Sequence, residues 1–534
     1  MTQHRKLALA CSILFVVTAA AAHDHDQHGS DMEVLGHVDF ATSCAAPAQE
    51  RFQSGVALLH SFEYDRATRR FAEVSASDPG CAMSYWGSAM SLYHQIWEDP
   101  SPEDLAAGWQ FLVKAQAAPE RSAREKAWIE ALATFYRPDK RTVEQRTAQY
   151  SEAMGRLHEA YPDDVEAAVF YALSLLAAEP PTDTDLTYAR KAVGILQATM
   201  EKRPDHPGIA HYLIHACDSP ALAQQGVAAA RRYAELAPAS PHALHMPSHI
   251  FARLGLWNDS ITANLKAKDA AERSGASAEY RLHPMDFLNY AYLQTGQDDK
   301  AQAIVMDVLA GKKEGYGHGR EKAYYYYQAQ FPALFALETR NWKQAAGLRA
   351  QENAEPGYGG NTFWAQAIGA GHLKNAPAAQ AAVLALEADE AAYRKAHADE
   401  TVPPVNTHLN EAKAWLAYAQ GDESTAFELL RTAIAYQDKV GKGEVDLPAR
   451  EMYADMLLEL GRHQEALEQY RLSLQTDPNR FNGIYGAGRT AQALGKKDEA
   501  AAYFRQLDEN CPPASGPVRA ELQTARDFLA LAAR

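Results

Sequence analysis

Two short stretches of the sequence place histidines at intervals of three or four residues, and a third places His283 three residues before Asp286. On a helix, such intervals put side chains on one face. Neutral imidazoles with a carboxylate are ligands for Zn, Cu or Fe, and two histidines four residues apart can grip one ion. The pattern predicts a metal or ligand centre made of seven residues: His211, His215, His242, His245, His249, His283 and Asp286.

Two residues that follow the first stretch extend this prediction. Cys217 and Asp218 come two and three residues after His215, so we expect them to contact the ion or to orient its ligands. The alternative is that each histidine packs or hydrogen-bonds within the fold, as single buried histidines usually do. The sequence leaves both interpretations open.

A second histidine-rich segment lies near the N-terminus. His23 and His25 follow three alanines at residues 20–22 that are typical of a cleavage site. After cleavage behind Ala22, His25 becomes the third residue, and a free amine, two backbone amides and an imidazole can wrap Cu(II) in a square plane. His23 and His25 are therefore candidate copper ligands, and the alternative is a polar tail.

Common enzyme signatures are absent from the sequence. His158 and Glu159 lack the second histidine that an HExxH zinc motif requires, and there is no GxSxG elbow, phosphate-binding loop or CxxC pair. Ligands supplied by neighbouring helices need no such motif. A metal-dependent enzyme stays an open alternative, without a named reaction.

The N-terminus and the overall charge indicate an exported protein. Residues 1–22 begin with Arg5 and Lys6, continue with a short apolar run and match a secretory signal peptide, so we expect a periplasmic or secreted protein. No later apolar stretch is long enough to span a bilayer. The net charge of −16 argues against nucleic acid and against an anionic membrane as partners.

Export permits disulfide bonds. Cys44 and Cys81 flank the first helical segment, so a bridge between them is one candidate, and two unpaired buried cysteines are the alternative. Cys217 and Cys511 are far apart in the chain, and nothing in the sequence pairs them.

Helical periodicity continues from residue 47 onward, with breaks at Pro and Gly. The clearest unit spans 447–478, with Ala454, Gly461, Ala466, Tyr470 and Pro478 at its small, aromatic and proline positions, and Ala500 repeats Ala466 after 34 residues. This unit resembles the tetratricopeptide repeat (TPR) family. The resemblance implies an all-α, TPR-type α-solenoid, a right-handed superhelix of antiparallel helix pairs.

This fold sets the expected domain organisation. The signal peptide covers 1–22 and a histidine-rich arm covers 23–46. A first array with the histidine-rich groove covers 47–320, and a second array, closed by a capping helix at 516–533, covers 321–534.

In TPR arrays the first helix of each unit lines a concave groove. The resemblance implies that the histidines face this groove together with six further residues: Asp218, Tyr290, His408, Glu411, Glu451 and Asp455. It also implies an exported scaffold that holds a peptide, protein or small ligand there, with or without a metal. The alternatives are a metal-dependent enzyme using the histidines and a periplasmic copper-handling protein.

Overall fold

The computed structural model of the chain describes residues 34–534, except 97–98, 120, 275–277, 313–320, 353, 399–400, 514–517 and 533–534. The expected signal peptide and the candidate copper ligands His23 and His25 lie outside the described residues. Within the described part, no helix has the length and apolar character needed to cross a membrane.

The regular structure of the described residues is helical throughout, without a strand, which confirms the all-α prediction. The first half contains α1 Ala46–His60, α2 Tyr64–Ser77, α3 Ala82–Met90, α4 Pro102–Ala117, α5 Ala123–Tyr136, α6 Val143–Ala160, α7 Val165–Ala177, α8 Thr187–Met200, α9 Pro207–Ala216, α10 Ala223–Leu236, α11 Pro241–His245, α12 Pro247–Arg253 and α13 Trp257–Ser274. The second half contains α14 Ala278–Gln294, α15 Asp298–Ala310, α16 Glu321–Glu338, α17 Trp342–Ala346, α18 Gly360–His372, α19 Ala376–Ala396, α20 Thr407–Gln420, α21 Glu423–Val440, α22 Ala449–Glu459, α23 His463–Thr476, α24 Phe481–Ala493, α25 Lys497–Asn510 and α26 Ala520–Ala532.

Local sequence signals fix where many of these helices start. Ser101, Ser122 and Thr142 each accept a backbone N–H three residues on, and the acid or amide at that position bonds back to the cap. These reciprocal bonds satisfy N–H groups that a helix start would otherwise leave unpaired. Pro207 and Pro241 occupy the first positions of α9 and α11, where a missing N–H costs nothing.

Each helix packs on its successor and, across it, on the next helix of the same layer. Thus α1 contacts α2 and α3, and α22 contacts α23 and α24, which is the TPR-type α-solenoid that the sequence predicts. Small residues permit the close approach. A Cβ on Gly87 would lie 2.4 Å from the ring of Phe71, and one on Gly488 would lie 2.6 Å from the ring of Phe504. The C-terminal α26 packs on α25 and α24.

The array has two main hydrophobic cores. One is built from residues between Leu35 and Phe251, and the other from residues between Trp257 and Ala525. The change from one core to the other falls within the array assigned from sequence to residues 47–320. The three histidine-bearing stretches lie on both sides of this change, since α9 and α11 precede it and α14 follows it.

Two connections tie distant parts of the chain together. A disulfide joins Cys44 to Cys81, 37 residues apart, and the chain-entropy model gives such a loop about 4 kcal/mol of stabilisation. Cys217 and Cys511 are free and buried.

The second connection is the 441–448 loop, the segment between α21 and α22. It reaches across to α12 and α14, two of the histidine-bearing helices. Arg253 of α12 donates to the Lys442 carbonyl at 2.8 Å, and the Tyr290 hydroxyl of α14 donates to the Asp446 carbonyl at 2.8 Å. The loop therefore brings residues from the second core to the histidines.

Candidate metal centre

Three histidines from α9 and α11 form the first triad. His211 and His215 lie four residues apart on α9, and His242 lies on α11. The Nε2 atom of His211 is 3.0 Å from Nε2 of His242 and 3.1 Å from Nε2 of His215. His211 and His242 are buried and His215 is half-buried. Three ring nitrogens thus converge on one point.

Three further histidines from α11, α12 and α14 form the second triad. The Nε2 atoms of His245 and His249 are 3.0 Å apart. The ring of His283 lies 4.5 Å from that of His245 and 5.6 Å from that of His249, measured between centroids. Each of the three offers a nitrogen within 4.8 Å of the other two. His283 is half-buried and the other two are buried.

Prolines shape the helices that carry the second triad. Pro247 follows His245 by two residues, and the helix is interrupted at Met246 between α11 and α12. Pro284 lies inside α14, directly after His283. A proline has no backbone N–H, so neither residue can donate the backbone hydrogen bond that a regular helix has at that position.

The hydrogen bonds of the Nδ1 atoms set which nitrogen of each ring carries a proton. Nδ1 of His211 lies 2.6 Å from the carbonyl oxygen of His60, and Nδ1 of His245 lies 2.7 Å from Oδ1 of Asn264. Nδ1 of His249 lies 2.8 Å from Oδ2 of Asp218. Carbonyl and carboxylate oxygens only accept, so Nδ1 is the donor in all three rings. Nε2 of each neutral ring therefore carries a lone pair.

These tautomers give the triads an unusual electrostatic character. In the second triad, the lone pairs of His245 and His249 face one another at 3.0 Å when both rings are neutral. In the first triad, two Nε2 atoms approach the single lone pair of His211. Converging lone pairs repel unless a cation lies between them, and a metal ion is a cation that three nitrogens can share.

Burial keeps most of these rings in the neutral form that binds metals. It lowers the pKa of His215 to about 3 and that of His283 to about 4. Burial also holds the pKa values of His211, His242 and His245 well below the ordinary value. These five imidazoles are therefore available as ligands at neutral pH.

His249 differs from the other five because two carboxylates contact its Nδ1. Burial alone would lower its pKa, but Glu444 and Asp218 outweigh that effect and raise the pKa to about 10. Asp218 also accepts from Nε of Arg253 at 2.8 Å, and Glu444 lies 3.2 Å from Nδ1 of His249. In the absence of a metal, a proton on His249 fills the gap to His245. A metal ion would displace that proton.

An apolar ring backs each triad. Phe62 lies 4.4 Å from His211 and 5.5 Å from His242 between ring centroids, and Phe287 lies 4.6 Å from His249 and 4.9 Å from His245. Phe62 has a φ of 55°, a left-handed conformation that costs a bulky residue about 1–3 kcal/mol. The same left-handed conformation occurs at Arg340 and Lys374, which also lie in turns between helices, so it belongs to the turn of the repeat.

A third buried group, next to the first triad, has a different character. Glu166 accepts from Nε2 of both His60 and His206 at 2.9 Å. Nδ1 of His60 accepts from the Tyr212 hydroxyl at 2.9 Å, and Nδ1 of His206 accepts the Ile209 N–H at 3.3 Å. Burial would raise the pKa of Glu166, yet the two histidines hold it well below the ordinary value. Each of these ring nitrogens has a complementary partner, so this group needs no ion.

The structure brings six of the seven predicted centre residues together, in two triads instead of one site. Among the described residues, Asp286 joins neither triad. Its carboxyl group is buried, which raises its pKa, and its Oδ1 has no hydrogen-bond partner. Cys217 is buried and its pKa is raised to about 12 by burial, so its thiol stays protonated. Asp218 acts on His249 and not as part of a triad.

The other predicted groove residues have partners inside the protein. The pairs are His408 with Asp446, Glu411 with Trp364, Glu451 with Arg480, Asp455 with Arg340 and Tyr290 with the Asp446 carbonyl. Their proposed contact with an external partner stays a prediction.

Three contributors to the centre were missed from sequence: the His60 carbonyl, Asn264 and Glu444. A backbone carbonyl carries no sequence signal. Asn264 lies on α13, a second helix of its unit, where no groove position is expected. Glu444 lies in the irregular 441–448 loop, whose path no periodicity predicts.

Comparison with known proteins identifies the repeat type. Residues 447–480 match the family model described as tetratricopeptide repeat, which confirms the resemblance at the unit whose residues carry it. No curated protein matches the chain.

Solved structures that resemble the chain include the following three. A tetratricopeptide repeat protein from Parabacteroides merdae ATCC 43184 is 14% identical over 55% of this chain and 99% of its own, with a TM-score of 0.29. The APC/C hetero-tetramer Cut9–Hcn1 is 13% identical over 91% of this chain and 90% of its own, with a TM-score of 0.34. The P58(IPK) TPR domain is 11% identical over 91% of this chain and 99% of its own, with a TM-score of 0.20. These scores are too low to support an inference about this chain's site.

Proposed function

We propose that this TPR-type array is a metalloprotein in which the two histidine triads bind two transition-metal ions side by side. The observation that carries the proposal is the convergence of Nε2 atoms at 3.0–3.1 Å, in triads where the Nδ1 atoms of His211, His245 and His249 are held as donors. A fold stabilised without metal would pair these nitrogens with complementary groups, as Glu166 does for His60 and His206.

The ligand atoms of the triads restrict which metals are expected to bind. Six imidazoles without a thiolate or carboxylate within the triads suit Cu, Zn or Fe, and disfavour Mg and Ca, which prefer oxygen ligands. Three protein nitrogens per ion leave a coordination position open, a feature of catalytic sites and not of structural ones. The open position favours a metal-dependent enzyme, which activates water or oxygen, over a storage or purely structural role.

The rest of the chain supports a scaffold role around this centre. TPR-type arrays present a concave surface built from first helices, on which peptides or proteins bind. We infer that the array positions the centre and presents a partner or substrate to it. The expected signal peptide and the Cys44–Cys81 disulfide support export to an oxidising compartment.

Metal analysis of the full-length protein, produced without a histidine tag, tests the proposal. After incubation with Cu(II), Zn(II) or Fe(II) and removal of free metal, we expect two ions per chain for at least one of these metals. A matched variant, His37→Ala, removes an exposed histidine outside the centre and should bind the same amount. If the protein retains less than about 0.1 ion per chain with each metal, although sites of this type normally bind tightly, the proposal is wrong.

A further inference from the structure

The two triads form one continuous cluster of rings. Between triads, the ring centroids of His215 and His249 are 6.0 Å apart and those of His242 and His245 are 6.3 Å apart. Within the first triad, His215 and His242 are 6.4 Å apart. These separations are similar to the largest one within the first triad, where His211 lies 4.8 Å from both His215 and His242. Ions bound in the two triads are close neighbours.

The protein supplies little negative charge to such a pair. The ligating imidazoles are neutral when they bind metal. The charged groups that contact the ligands or their carboxylate partners are Asp218, Glu444 and Arg253. Together they leave one negative charge, so two divalent ions bring the site to three positive charges. Uncompensated charge of this size is expensive in a buried site.

Solvent outside the cluster cannot compensate the positive charge of the two ions, because the protein encloses most of the site. Phe62 and Phe287 cover one side of each triad. Four of the six ligands are buried, and His215 and His283, one from each triad, are half-buried. A compensating anion must therefore enter the cluster itself, from the side where these two residues lie. Each ion has an open position to receive it.

We propose that the two ions share one small anion with an oxygen or nitrogen donor atom, bound between the triads at the face marked by His215 and His283. Hydroxide is the occupant in the resting protein. The inference rests on the proposed function, since it requires two bound ions. Paired metal ions in proteins lie about 3.5–4 Å apart, a gap that a single donor atom about 2 Å from each ion can span.

Azide is a suitable probe, since it is a small anion with a nitrogen donor. Its binding is a ligand exchange in which azide enters and hydroxide leaves, with no change of oxidation state. Full-length protein loaded with two Cu(II) per chain is titrated with azide, and absorption and electron paramagnetic resonance (EPR) spectra are recorded. We expect saturation at one azide per two coppers. The EPR intensity should fall below that of two isolated Cu(II) ions, because unpaired electrons couple through a shared ligand.

Two azides per chain, no azide, or the EPR intensity of two independent coppers would contradict the shared anion. The variant His242→Ala provides the control, because it breaks the first triad and leaves the second. It should bind one copper with the EPR intensity of one spin, and its azide affinity should fall by at least about tenfold. An unchanged azide affinity in this variant would also contradict the inference. Failure to load two ions at all would contradict the proposed function instead.

Discussion

Two buried histidine groups lie side by side in this array and differ in one respect. In the His60–Glu166–His206 group, each ring nitrogen meets a partner of opposite hydrogen-bonding character. In the triads, the Nδ1 atoms of His211, His245 and His249 donate to oxygen, so the Nε2 lone pairs of neutral His245 and His249 face one another. Burial alone does not distinguish them, since both groups contain fully buried imidazoles, although His215 and His283 are half-buried. Hydrogen-bond complementarity is what separates a structural group from a candidate metal centre.

The comparison predicts that substitutions in the triads weaken metal binding, whereas substitutions in the His60–Glu166–His206 group leave metal binding unchanged. The largest effect on metal affinity is expected in the triads. The double variant His211→Ala and His245→Ala removes one ligand from each. We expect metal affinity to fall by more than about a hundredfold at both sites, because even residues outside the ligand set contribute 10–100-fold. The metal-free protein should also lose stability, because both buried rings donate from Nδ1, to the His60 carbonyl and to Asn264, and their removal leaves cavities. Metal analysis and urea unfolding measure the two effects.

That prediction has a clear counter-result. If the double variant retains two ions per chain, the triads do not hold them.

The second prediction concerns the complementary group. Glu166→Ala leaves the Nε2–H donors of His60 and His206 without an acceptor. Each unpaired buried donor costs about 1–3 kcal/mol of stability. We expect the free energy of unfolding to fall by about 3 kcal/mol, with metal stoichiometry unchanged at two ions per chain. Loss of both ions from a folded Glu166→Ala protein would show that this group takes part in metal binding.

A third prediction distinguishes the triads from each other. Asp218 and Glu444 contact only the second triad, through Nδ1 of His249. Carboxylates in this position raise ligand basicity, and their loss costs about 10–100-fold in affinity. In Asp218→Asn, we expect the ion in the second triad to be lost at a lower chelator concentration. The ion in the first triad should be held as in the parent protein. Equal weakening of both ions would contradict this asymmetry.

The smallest effect is expected at Asn264. Its Oδ1 lies 2.7 Å from Nδ1 of His245 and fixes the tautomer of that ring. The Oγ atom of Ser248 lies 3.2 Å from the same Nδ1. Because Ser248 can take over as acceptor, Asn264→Ala should weaken the second site by only about tenfold. Chelator competition at neutral pH measures this change. A loss as large as in the double triad variant would mean that Ser248 does not compensate.

Much of this organisation is predictable from sequence. Spacings of three and four placed six histidines on helix faces, and the repeat resemblance placed those helices next to one another. The structure brings the six rings together. Gly461, Ala466 and Tyr470 identify the unit at 447–478 from sequence, and the family match at 447–480 covers it.

The division into two triads was not predictable in the same way. It depends on the interruption at Met246 and on how α9, α11 and α14 pack, which are tertiary properties. Asp286 has the spacing of a ligand but lies outside both triads. The complementarity of His60 and His206 required the position of Glu166, about 106 and 40 residues away in the chain. Periodicity contains no information on such distant pairs.

Anomalous X-ray diffraction from copper-loaded crystals, recorded at the copper absorption edge, tests the central claim most directly. We predict two peaks per chain, each about 2 Å from ring nitrogens of one triad: one at His211, His215 and His242, and one at His245, His249 and His283. Absence of peaks at the triads, or a peak only at His60, Glu166 and His206, would contradict the account.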